Sequence, residues 1–137
     1  VREDLAGFDD AAKKELQNAI IALSAEARLK SQIEMDKRDE GVIALGTKAL
    51  IGVTLSCMDC HKFHEDGEEL GTAPDLTAYG SREWLMAFIA NAEHERFYGS
   101  RNDRMPAFGE EKQLTPQEMG LIADWLRGEW FEPTARR

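Results

Sequence analysis

Cys57-Met58-Asp59-Cys60-His61 is the stretch on which the reading of this chain turns. Two thiols stand three positions apart, and an imidazole follows the second directly. Three chemistries use such a pair. A dithiol redox centre sits at the strand-to-helix turn of a βαβ unit, and no β-branched strand run precedes Cys57. A structural zinc site takes four Cys or His ligands. With no second Cys pair in the chain, zinc would need Cys57, Cys60, His64 and His94 at an irregular spacing. The third chemistry is covalent haem attachment. Each thiol can bond one vinyl group of a single haem, and the following histidine is carried under the iron. The complete five-residue motif points to one haem c, attached at Cys57 and Cys60, with His61 as proximal iron ligand.

A sixth iron position then has to be filled or left open. Met58 lies inside the motif, and His64 is too near His61 to reach the opposite face. Met86 and Met119 fall in helical segments, Met35 in a charged run, and His94 among Glu93, Glu95 and Arg96. Met105 stands in a loop immediately before Pro106. The proline disfavours helix for the residue that precedes it, so Met105 belongs to an extended segment able to cross a haem face. Its soft thioether suits low-spin iron and raises the reduction potential relative to a second imidazole. Met105 is the favoured second ligand, with His94 and Met35 as alternatives.

The rest of the composition narrows the setting. A chain of 137 residues makes one domain. Its 26 acidic against 17 basic residues give a net charge of −9, which excludes nucleic acid as a partner because phosphate binding needs a basic surface. An acidic surface suits a basic partner protein, or plain solubility. Both cysteines lie in the one motif, so no structural disulfide is expected. The haem reading carries with it, from the family chemistry of such motifs and not from composition, attachment outside the cytoplasm, so the expected location is periplasmic or on the outer face of the cytoplasmic membrane. No signal peptide or membrane-spanning run is visible, and the first residue is Val1. The expectation is a processed chain, or a fragment of a longer, membrane-anchored one.

Four helices are readable. The first covers about Asp10 to Lys30, capped by Asp9 or Asp10, with Ala12, Leu16, Ile20, Leu23 and Ala27 on one face. A charged stretch from Met35 to Glu40 leads into a second, about Asp39 to Ile51, interrupted by Gly46, where another helix should approach closely. A third runs from about Arg82 to Ala92 behind Ser81, with Trp84, Leu85, Phe88 and Ile89 apolar. Thr115-Pro116-Gln117-Glu118 is a capping box that opens the last, which carries Met119, Ile122, Ala123, Trp125 and Leu126 and stops at Gly128. No strand is expected. Irregular stretches, 62–80 and 93–114, are long enough to need a task such as wrapping a cofactor edge. Arg96, Arg101 and Arg104 are candidates for pairing with haem propionates. Trp84, Tyr98 and Trp125 are candidate pocket residues, with a polar tip available for hydrogen bonding. Glu65, Asp66, Glu68 and Glu69 form the acidic patch nearest the motif.

Taken in order, the second helix, the Cys-x-x-Cys-His motif, Ala73-Pro74-Asp75-Leu76, Met105-Pro106 and the Trp-containing last helix resemble class I monohaem cytochrome c. The resemblance covers about Asp39 to Trp130. It implies an all-α fold around one covalent haem, thioether bonds at Cys57 and Cys60, and axial ligands His61 and Met105. It implies that the Pro74 carbonyl accepts a hydrogen bond from the His61 imidazole, and that the second helix crosses the last near Gly46 and Trp125 or Leu126. The stretches 76–85, Phe97-Tyr98-Gly99 and 102–108 are similar to cytochrome c domains fused to, or associated with, cytochrome b in bacterial quinol–cytochrome c reductases. This likeness implies one-electron transfer without bond chemistry. The donor would be a membrane quinol-oxidising complex and the acceptor a soluble cytochrome or oxidase. Contact with a membrane would come only through an anchor or parent chain. The alternatives are a haem-based sensor or ligand-binding domain with a labile Met105, and the electron-entry domain of a larger redox enzyme. Residues 1–38 depart from the pattern and are expected to be a helical extension or linker, with the cytochrome c domain at 39–137.

Overall fold

The computed structural model describes residues 7–67, 73–102 and 104–130. Glu68, Glu69 and Asp103 lie outside the described residues. The described chain is mostly helical. Helix α1 spans Asp10–Glu26, and its N-terminus is satisfied by Asp9, whose carboxylate accepts the Ala12 N–H at 2.8 Å. It stops short of the expected Lys30 because Arg28 takes a left-handed φ of 52°, which turns the chain. The charged stretch forms a short helix of its own, α2 (Ile33–Arg38), followed by α3 (Glu40–Ile51). Helices α4 (Arg82–Ala90) and α5 (Pro116–Leu126) complete the set. Ser81 Oγ accepts the Trp84 N–H at the start of α4. At α5, Thr115 and Glu118 form the reciprocal capping box, and its hydrogen bonds hold the Glu118 carboxyl below the usual carboxylate range.

The absence of strands is corrected by a two-residue antiparallel hairpin, β1 (Lys62–Phe63) with β2 (Asp66–Gly67). So short a pairing leaves no alternation for a sequence pattern to show. The turn depends on a positive φ at His64 and at Gly67, and a side chain at Gly67 would strike the His61 carbonyl.

Helices α1 and α3 pack along their length, and α4 packs on α5. Ala19 and Ala22 of α1 meet Gly46, Ala49 and Leu50 of α3, and Phe63 and Leu76 close the same core. The expected partner of Gly46 was the last helix. The structure corrects this: a Cβ at Gly46 would run into the Asn18 carbonyl and lie 2.7 Å from Ala22 Cβ, both on α1. The glycine does mark a close helix approach, but α1 supplies the small residues that match it. Trp125, expected near that crossing, is 64% exposed. Among the described residues no helix is long and apolar enough to cross a membrane.

The crossing makes an energetic prediction. In an isolated helix Gly46→Ala would gain about 1 kcal/mol from propensity. In the folded protein the added methyl has no room, and overpacking should reverse the sign to a net loss of roughly 1–3 kcal/mol. Urea unfolding followed by helical circular dichroism measures the difference.

Candidate functional site

The motif leaves α3 through Gly52 and is set by one irregular turn. Ser56 adopts a left-handed φ of 51°, and Cys57–Asp59 then form a single 3-10 turn. The Cys57 carbonyl accepts the N–H groups of Cys60, at 3.4 Å, and His61, at 3.1 Å. That turn brings Cys57, Cys60 and His61 onto the wall of one cavity of about 730 Å³. Its other walls are almost entirely apolar. Leu16, Ala19, Ile20 and Leu23 come from one stripe of α1, Leu50 from α3, and Leu76, Tyr79 and Tyr98 from the loops. Cys57 is half-buried and its thiol is pushed above its usual range, chiefly by desolvation. Cys60 is exposed, and both cysteines are free thiols.

His61 is oriented by a single strong contact. Its Nδ1 lies 2.7 Å from the Pro74 carbonyl oxygen. A proline carbonyl can only accept, so Nδ1 carries the proton and the lone pair is left on Nε2. This is the hydrogen bond that the resemblance implies. Pro74 in turn belongs to a loop whose backbone groups are pinned from four directions. Asp75 N–H donates to the Arg96 carbonyl at 2.8 Å, and Trp84 Nε1–H donates to the Asp75 carbonyl at 3.0 Å. Leu76 N–H donates to the Lys62 carbonyl at 2.8 Å, and Ala78 N–H to Glu26 Oε2 at 2.6 Å.

Met105 does not line the His61 cavity. It lines an adjoining one of about 480 Å³, with Trp84, Phe88, Phe108 and Leu126 among its walls. Pro74, Tyr79 and Tyr98 border both cavities. The backbone of Met105 is held by a residue the sequence reading did not single out. Asn102 Oδ1 accepts the Met105 N–H at 3.2 Å, and Asn102 Nδ2 donates to the Met105 carbonyl at 2.7 Å.

The remaining candidates divide. Trp84 is buried in a cluster with Tyr79, Phe88 and Phe97, and its indole N–H is taken by Asp75. Tyr98 borders both cavities and is exposed. Trp125 lines neither. Arg101 and Arg104 lie at the surface. Arg96 braces the Pro74 loop: its Nη2 donates to the Thr77 carbonyl at 2.8 Å, its Nε lies 3.3 Å from Asp75 Oδ2, and its guanidinium rests over Phe97.

The zinc and rival-ligand readings find no support in this geometry. His64 Nε2 faces Glu26, His94 Nδ1 accepts the Arg96 N–H at 3.1 Å, and Met35 is exposed on α2. Among the described residues no three His, Cys, Asp or Glu side chains converge to hold a metal ion.

No family model, curated protein or solved structure matches the chain.

The donor set itself fits a haem: two thiols and one correctly tautomerised imidazole on an otherwise apolar cavity of cofactor size. The difference between the two thiols is open to measurement. In the chain produced without haem-attachment machinery, Cys57 should alkylate more slowly than Cys60, because burial disfavours its thiolate. Timed iodoacetamide labelling with peptide mass mapping gives the two rates. Equal rates would mean the Cys57 side of the turn is open.

Proposed function

We propose that this chain is a monohaem c-type electron-transfer domain of class I cytochrome c type. It resembles the cytochrome c domains that serve membrane-bound quinol–cytochrome c reductases. The observation that carries the reading is the His61–Pro74 hydrogen bond. A histidine that donates through Nδ1 to a backbone carbonyl offers Nε2 as a basic, fixed ligand, the usual arrangement of metal-binding imidazoles. It occurs directly after a thiol pair, on the wall of an apolar cavity.

Bound there, the haem supplies a one-electron Fe(III)/Fe(II) couple. Everything else falls to the chain. Cys57 and Cys60 would hold the group through thioether bonds. His61 would offer Nε2 to the iron, its ring fixed by the Pro74 carbonyl. Leu16, Ile20, Leu23, Leu50 and Leu76 exclude water and lower the local dielectric. Met105, its backbone held by Asn102, would be the second residue to hold the iron. It lines the adjoining cavity, which shares Pro74, Tyr79 and Tyr98 with the cavity of His61.

A membrane quinol-oxidising complex is the proposed donor, and a soluble cytochrome or oxidase the proposed acceptor. Glu65 and Asp66, exposed on the hairpin turn beside the motif, offer acidic docking groups for a basic partner. The setting is periplasmic or at the outer face of the cytoplasmic membrane.

Co-expression with haem-attachment machinery should give an intact mass, under denaturing conditions, of the polypeptide plus one haem that acid acetone does not extract. The double change Cys57→Ser with Cys60→Ser should release it. Bound zinc or extractable haem in the parent would end the reading.

Met105→Ala should abolish the far-red absorption band of Met–iron ligation, lower the midpoint potential and let carbon monoxide bind the reduced protein readily. A surviving band would transfer the ligand role to another methionine such as Met35, and its absence from the unaltered protein would favour His94. Ready carbon monoxide binding by the unaltered protein would favour a sensor with a labile Met105.

A further inference from the structure

Glu26 closes α1 at the end where the helix dipole is negative, an unfavourable place for a carboxylate. Its side chain is only 17% exposed, and its reason for being there is tertiary. Oε1 lies 2.9 Å from His64 Nε2, on the segment that follows His61. Oε2 accepts the Ala78 N–H at 2.6 Å, on the segment that follows Pro74. The two gripped segments are also tied to each other, by His64 N–H to Thr77 Oγ1 at 2.7 Å and Leu76 N–H to the Lys62 carbonyl at 2.8 Å. A second tie secures the same end of α1. Arg127, just past α5, donates through Nη1 to the carbonyls of Ala27, at 2.6 Å, and Gly80, at 2.8 Å.

We propose that Glu26 is a positioning residue of the haem site. It locks α1, whose Leu16, Ala19, Ile20 and Leu23 wall the cavity, to the two segments that hold His61 against the Pro74 carbonyl. The proposal rests on the haem reading. It adds to it a helix that the cytochrome c resemblance leaves out, which makes α1 part of the cofactor site.

The test reads the His61 ring directly. In the reduced haem-bearing protein, hydrogen exchange of the His61 Nδ1–H and the Ala78 amide is followed by NMR, with the buried Ala123 amide of α5 as reference. Glu26→Ala should speed exchange at both groups by about ten-fold, the loss of roughly one net hydrogen bond, while Ala123 keeps its rate. Glu26→Gln removes the charge but keeps an acceptor and a donor, and should restore most of the protection. The midpoint potential should follow the same division, with Gln reporting the charge and the further change in Ala reporting position. Should Glu26→Ala not fold, His64→Ala removes one arm of the grip and should move the His61 proton the same way by a smaller factor. Unchanged His61 and Ala78 exchange in these variants, or equal acceleration at Ala123, would overturn the proposal. Failure of the haem reading looks different: the parent chain would carry no covalent haem, while the Ala78 amide still reports whether Glu26 holds its loop.

Discussion

The hydrogen bond from His61 to the Pro74 carbonyl spans two irregular segments with no secondary structure in common. It is useful only if both ends are held still, and much of the surrounding polar structure does that. Asp75, Leu76, Thr77 and Ala78 each have a backbone group bonded to a different part of the molecule: Arg96, Trp84, Lys62 and Glu26. A loop that satisfies its backbone groups in this way can be part of the interior without the cost of orphaned donors and acceptors. The aromatic cluster of Trp84, Phe88 and Phe97 and the Arg96–Asp75 pair serve the same loop from beneath. Charged and aromatic side chains that could have faced a ligand are used to shape the frame around it.

The hydrophobic core is correspondingly small. Alanines and one glycine let α1 and α3 approach closely, and Phe63, 1% exposed, fills the end of that seam. Large apolar side chains elsewhere, such as Ile20 and Leu126, stay exposed while lining the cavities. In the proposed function these surfaces are completed by the macrocycle, so a large part of the burial that would stabilise the domain comes with the cofactor. Met105 and His61 line adjoining cavities, and nothing in the polypeptide alone draws them to a common centre.

Helix existence was legible in the sequence wherever local chemistry decides it. The caps at Asp9, Ser81 and Thr115 work through residues three positions away, and Gly46 carries a visible propensity cost that forecasts a close approach. The exclusion of Met105 from a helix by Pro106 is equally local, and the structure has it outside any helix. Less legible were the two-residue hairpin, too short for any period, and the end of α1, which depends on the left-handed backbone of Arg28. Arg96 read as a candidate for a haem propionate because its partners, Asp75 and Thr77, are distant in sequence. Nothing local marks out Glu26, whose partners His64 and Ala78 are equally distant.

Two thiols and an imidazole within five residues can be read off the chain, because a covalent spacing needs no folding to be seen. The helical class can be read there too, because apolar period and caps act over a few residues. Which helix meets Gly46, which nitrogen of His61 carries the proton, and that α1 walls the cavity emerge only from the packing of the fold. Those are relations between segments far apart along the chain. They are set by which surfaces can approach and which backbone groups remain to be paired, and no local pattern encodes either.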